Sequence, residues 1–323
     1  MRLSNKTLTK FVKGAVFCHE RDGYLNASRY SRAQIEMMQN PAYDRGWRNR
    51  SVFTGGVRLE FRTDAEHLSF DYRASDMHER SNTVDLYING TLTAVYEIGD
   101  RLKGKVEFSM PAGRKTVTVY YPCESRFEIK HFEIDGGYES VKDKGPRLLV
   151  LGDSITQGAG PQIASAAYLH GLTRKTGYTV LGQGIGGYRY EPCDLMKIDG
   201  FEPDKILVFL GTNYYEKACE ERGYDYARAV KEYYERLTAL YPNIPILCVT
   251  PLWRNNDTNW ERFLWCIDRI KEACAPHPNV LVADGFALMP NVDVCLSDGV
   301  HPSTYGSELL AANLARFMKE HRF

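Results

Sequence analysis

The chain has 323 residues, 43% hydrophobic and 25% charged, an ordinary globular balance with length for two domains and at least one sizeable core. Its 41 Lys and Arg offset 41 Asp and Glu, so no basic excess points to nucleic acid or to an anionic membrane surface. No apolar run reaches membrane-spanning length, and the opening MRLSNKTLTKFVKGAVFCHE lacks the apolar stretch of a signal peptide, so a cytoplasmic protein is expected.

The first 134 residues read as short strands. GVRLEFRTD (56–64) and HLSFDYRA (67–74) alternate, or nearly alternate, apolar and polar positions. TVDLYINGTLTAVYEI (83–98) places Asn89-Gly90 between two strand-like runs, a hairpin signal. KVEFSM, KTVTVYY and FEIKHFEI follow, and one helical patch is expected at SRAQIEMMQN (31–40). Short strands at this spacing predict an all-β sandwich of jelly-roll type over residues 1–140.

A polar link at 141–146 precedes a different grammar over 147–323, where strand, loop and helix repeat. Strands are expected at 147–152, 178–184, 204–211, 244–250 and 279–285. Helices are expected at 224–240, at 259–273 behind an N-cap at Asp257 or Thr258, and from Ser303 onward. Continuous apolar strands alternating with helices predict a parallel sheet with helices on both faces, an α/β domain. Ligands of such sheets bind beyond the carboxyl ends of the strands.

At the first of those ends, LLVLGDSITQGAG (148–160) stops abruptly in Gly152-Asp153-Ser154. A serine hydroxyl needs a base to become a nucleophile. LSDGVHPSTYG, near the C-terminus, supplies Asp298 and His301 three residues apart in one turn. That spacing lets the carboxylate hold imidazole Nδ1 and leaves Nε2 for the serine. Donors for a developing oxyanion are expected from the backbone of the glycine-rich run 182–187 and from the Asn213 amide in LGTN. Eight cysteines, with no CxxC pair or zinc-finger spacing, read as reduced structural thiols with no metal site. Histidines at 19, 67, 78, 131, 170, 277 and 321 read as solvated or structural.

The blocks GDSITQG, GQGIGG, GTN and DGVHP, in that order, resemble those of the SGNH, or GDSL-like, hydrolases over residues 147–323. The strand-rich N-terminal part extends the likeness to two-domain carbohydrate esterases that place a jelly-roll ahead of the hydrolase domain. The resemblance implies a flavodoxin-like fold, no metal or organic cofactor, Ser154 as nucleophile, His301 as base and Asp298 as its orienting acid. It also implies an oxyanion hole from the N–H groups of Ser154 and Gly184 and the side chain of Asn213. The chain departs from the pattern at Tyr214, where an acid is usual, and at Gln183, where an Asn is common.

The expected activity is that of a serine esterase hydrolysing short acyl esters, acetyl foremost, on carbohydrate. Trp253, Tyr214 and Tyr188 are candidates to meet the substrate, a small-molecule or oligosaccharide ester. The same residues would serve an acyltransferase, and a non-catalytic carbohydrate-binding protein is the reading from another class. Oligomeric state is left open.

Overall fold

A computed structural model describes residues 1–41, 43–75, 82–256 and 258–323. Two antiparallel sheets face each other in the first part of the chain. One runs Val12–Lys13, Arg58–Thr63, Lys115–Tyr120, Thr83–Ile88, Thr91–Glu97, with Tyr138–Ser140 also paired to Arg58–Thr63. The other runs Phe17–Arg21, Tyr24–Ser28, Arg126–Ile134, His67–Ser75, Lys103–Ser109. Period-two alternation is the reason they stack. Leu68, Phe70, Tyr72 and Ala74 point inward from one strand and meet Leu59, Phe61, Val117 and Val119 from the opposite sheet in one apolar core. Asn89 and Gly90, at φ +50° and +84°, form the two-residue hairpin turn that their sequence announces. A second such turn, Asp22-Gly23, joins two strands the sequence reading did not anticipate.

The remaining chain forms a five-stranded parallel sheet in the order Thr179–Gly184, Arg147–Gly152, Lys205–Phe209, Ile246–Val249, Val280–Ala283. Numbered along this part of the chain that order is 2-1-3-4-5, the flavodoxin-like winding. Alternate residues bury against opposite helix layers, which is why the strands are apolar throughout. Leu149, Ile206, Val208 and Ile246 pack under Tyr226–Leu240 and Trp260–Cys274. Leu148, Val150, Leu207 and Leu247 pack under Tyr168–Thr176 and Thr304–Glu320.

Helix starts differ slightly from expectation. Asp225 caps Tyr226–Leu240, and Asn259, not Thr258, caps Trp260–Cys274 by accepting from the Arg262 N–H. Asp257, the other N-cap candidate, and His78 lie outside the described residues. Ser303 caps the last helix. The helical patch near residue 31 is Arg32–Met38, closed by a Ser31/Gln34 capping box. Two further helices, Arg45–Ser51 and Tyr168–Thr176, carry no strong sequence signal. All eight cysteines are free. Among the described residues no helix is long and apolar enough to cross a membrane.

The sandwich closes over the outer edge of the parallel sheet. Arg29, 1% exposed, donates Nε to Phe53 O at 2.7 Å and Nη1 to Gly182 O and Gly184 O at 3.0 Å each. Gln34 and Gln183 exchange side-chain hydrogen bonds beside it. Asp85 of the sandwich accepts the Ser165 N–H at 2.7 Å.

Candidate active site

Ser154 opens a single helical turn, Ser154–Gln157, immediately after the strand Arg147–Gly152, second in the parallel sheet. Its two neighbouring strands diverge in chain order there, the switch point at which open α/β sheets leave a crevice. The local sequence explains the tight bend. A side chain at Gly152 would place its Cβ 2.1 Å from Thr156 Oγ1, so only glycine lets the turn fold back over the strand end. Asp153 caps the turn, its Oδ1 accepting from the Ile155 N–H at 3.0 Å, and Thr156 Oγ1 meets Tyr168 OH at 2.8 Å. Ser154 is thereby held at the strand end with 8% of its surface exposed.

His301 Nε2 lies 2.8 Å from Ser154 Oγ, and His301 Nδ1 lies 2.8 Å from Asp298 Oδ2. The other Asp298 oxygen accepts the N–H groups of Val300 and His301 at 3.1 and 2.9 Å, so the carboxylate builds the turn that presents the imidazole. Burial opposes charge on His301, but the Asp298 hydrogen bond and charge outweigh it, and the imidazole pKa is raised. Burial acts on Asp298 too, yet its bonds from His301 and Val300 hold the carboxyl well below the usual range. The three groups form one hydrogen-bonded line that can take a proton from a hydroxyl.

Asn213 follows the third strand and donates Nδ2 to Tyr188 O at 3.1 Å, tying its loop to the glycine-rich one. Gly184 is placed differently from expectation. Its carbonyl leaves the sheet toward Arg29, while Ile185, not Gly184, donates to Gly152 O. Within a strand the N–H and C=O of one residue leave on the same side, so the Gly184 N–H is directed away from Ser154. What Gly184 supplies is space: a Cβ there would stand 2.2 Å from Gln157 N. The same glycine-rich run holds another amide three residues on. Tyr188 N–H closes a turn onto Ile185 O, with Gly187 at φ +75°, and the Gly187 N–H makes no hydrogen bond among the described residues. Gln157 Oε1 fixes this loop through the Gly186 N–H at 2.8 Å. No direction is visible in the string GQGIGG, so only the strand pairing distinguishes its glycines.

Tyr188 and Tyr214 flank Trp47 of the sandwich, with ring centroids at 4.9 and 6.2 Å. Trp253 stands apart from them, stacked on Phe286 at 3.9 Å and donating to Phe286 O. Its neighbour Arg254, absent from the sequence expectations, donates Nη1 to Thr212 O, and Asn255 N–H bonds Gly299 O at 2.7 Å. That short segment braces the Asn213 loop and the His301 loop together. Among the described residues no group of three or more His, Cys, Asp or Glu is arranged to hold a metal ion.

Residues 150–309 match the model of the GDSL-like lipase/acylhydrolase family. Solved structures share the fold along most of the chain. A salicylyl-acyltransferase, SsfX3, from a tetracycline biosynthetic pathway superposes with TM-score 0.73 and 20% identity, over 96% of this chain and 94% of that one. A family two carbohydrate esterase from Clostridium thermocellum, solved with cellohexaose, gives 0.65 and 14%, over 83% and 93%. An acetyl xylan esterase, Est2A, from the rumen bacterium Butyrivibrio proteoclasticus gives 0.61 and 19%, over 84% and 91%. A comparison with curated protein sequences finds no match.

Proposed function

Because the α/β domain of this chain belongs to the GDSL-like lipase/acylhydrolase family, we propose that the protein is a serine esterase removing short acyl groups, acetyl foremost, from carbohydrate. Residues 147–323 are taken as the hydrolase domain, 1–140 as the sandwich and 141–146 as the link between them. The observation that carries the reading is the unbroken line from Asp298 through His301 to Ser154, with 2.8 Å at each step. Likeness to carbohydrate esterases at low identity supports the choice of alcohol.

In this mechanism Ser154 Oγ attacks the ester carbonyl carbon as His301 Nε2 takes its proton. The carbonyl π electrons move to oxygen, and the oxyanion is met by the Asn213 amide and the N–H groups of Ser154 and Gly187. Ser154 N–H is available because the first amides of a helical turn have no partner within it. Collapse breaks the bond to the alcohol, which leaves with the proton from His301. Water then attacks the acyl carbon, giving its proton to His301; collapse breaks the bond to Ser154 Oγ, which takes that proton back from His301, and the carboxylic acid departs.

The test is hydrolysis of 4-nitrophenyl acetate and of acetylated xylo-oligosaccharides by wild type and Ser154→Ala. Turnover of both, lost in the variant by a factor of about 10³ or more, is expected. Equal activity in the two proteins would remove Ser154 as nucleophile. The acyltransferase likeness spans 96% of the chain, so the same assay is run with added alcohol acceptors. Ester exchange outpacing acetate release would make transfer the main reaction.

A further inference from the structure

An open groove of about 510 Å³ is lined by Tyr43 and Trp47 from the sandwich and by Arg189, Glu191, Asp194 and Tyr214 from the α/β domain. It shares its backbone with the proposed oxyanion loops. Trp47 Nε1 donates to Gly187 O at 3.0 Å, and Tyr214 directly follows Asn213. The groove and the proposed oxyanion loops are thus walled by the same two segments, 187–191 and 213–214.

The groove is built for a flat polar ligand. The Arg189 guanidinium lies among three rings, 4.1 Å from the Tyr224 centroid, 4.6 Å from Tyr214 and 5.3 Å from Trp47. Its Nε is bound to Glu191 Oε1 at 2.5 Å, and neither Nη atom has a hydrogen-bond partner among the described residues. Asp194 accepts from Tyr188 OH at 2.6 Å and from Tyr43 OH at 2.9 Å through the same oxygen, Oδ2. Fixed donors, fixed acceptors and ring faces thus stand in one place.

Tyr214 adds an independent sign. It sits at φ +61°, a left-handed conformation that a bulky side chain adopts at a cost of order 1 kcal/mol. Holding a tyrosine there aims its ring between Trp47, Tyr224 and Arg189. Strained residues of this kind gather at ligand clamps.

Charge decides the ligand class. Asp44, Glu191 and Asp194 line the groove against Arg189 alone, so a carboxylate-bearing ligand meets a net negative wall. A neutral ring carrying hydroxyls satisfies both kinds of group and stacks on the aromatics. We propose that this groove between the two domains is a subsite for a neutral pyranose ring of the alcohol part of the substrate, with Arg189 and Tyr214 as its specificity-determining residues. This rests on the carbohydrate-esterase reading above, and it gives the sandwich a part in substrate choice.

Binding is tested apart from turnover, on the Ser154→Ala protein, by titrating unacetylated xylotriose, cellotriose and mannotriose and following tryptophan fluorescence and calorimetric heat. Saturable binding of at least one neutral trisaccharide is expected. Arg189→Met keeps the packing on the rings and removes the donors. Tyr214→Gly removes the ring and relieves the backbone. Each is expected to weaken binding about ten-fold or more, with thermal midpoints that shift by only a few degrees. A trisaccharide ending in glucuronic acid is expected to bind more weakly than its neutral counterpart. No saturable binding, binding indifferent to both substitutions in folded protein, or tighter binding of the uronic acid would each overturn the subsite. If Ser154 proves irrelevant to ester cleavage while these titrations behave as stated, the esterase reading falls and the subsite stands.

Discussion

The charge on His301 is set by two opposed effects, burial that disfavours imidazolium and an Asp298 carboxylate 2.8 Å away that favours it. The carboxylate wins, so the pKa lies above the ordinary value of about 6.5. Only neutral His301 can take the Ser154 proton, so kcat/KM rises with pH and its acid limb lies above that value. Asp153, one residue from the nucleophile and 1% exposed, is pushed up to about 6 by burial, with the Ile155 N–H pulling it partly back. Two groups thus compete for one limb, and Asp298→Asn separates them. Removing the carboxylate is expected to move the limb to lower pH and cut kcat about 10³- to 10⁴-fold through the wrong imidazole tautomer. A limb that stays in place would assign it to Asp153. At this scale the sequence was legible where partners are close along the chain: Asp298 and His301 share one turn. The direction of the Gly184 N–H was not legible, because the side on which an N–H leaves depends on which strand lies next to it.

The turn after the first parallel strand works by the absence of side chains. A Cβ at Gly184 would stand 2.2 Å from Gln157 N and 2.5 Å from Thr156 C, both backbone atoms that cannot rotate away. Gly184→Ala is therefore expected to displace the Ser154 turn, lowering stability by about 1–3 kcal/mol and kcat more than it raises KM. Calorimetry and steady-state kinetics check this, and wild-type values in both would show the turn has room to move. Strands and long helices were legible because their patterns repeat over several residues. Arg45–Ser51 was not, since RGWRNRS carries a single apolar residue and its helicity is settled by Trp47 docking beside Gly187. The Phe17–Arg21 and Tyr24–Ser28 hairpin was announced by Asp22-Gly23, but its polar strands obscure the alternation.

Across the whole molecule the two domains are joined by buried polar groups. Arg29 spends its donors on the carbonyls of Phe53, Gly182, Gly184 and, at 3.5 Å, Arg50, with no carboxylate bound to it among the described residues. Burial accordingly lowers its pKa, but the guanidinium remains a fixed clamp. Arg29→Met leaves those carbonyls without donors and is expected to cost about 3–5 kcal/mol, read as a large drop in thermal midpoint. It is also expected to lower kcat, because Gly182 and Gly184 lead into the loop that carries Gly187. A midpoint within a degree of wild type would show that the domains are held by other contacts.

By itself the sequence determined the two kinds of sheet and the line from Asp298 to Ser154, while the family resemblance implied the winding of the parallel part. The first two follow from local periodicity, from strand ends that share one edge, or from a spacing of a few residues. The tertiary structure alone decided on which side the Gly184 carbonyl leaves its strand, where Arg29 is spent, and that Trp47 stands against Tyr188 and Tyr214. Most of those contacts join residues more than a hundred positions apart, and their geometry exists only after both cores have packed.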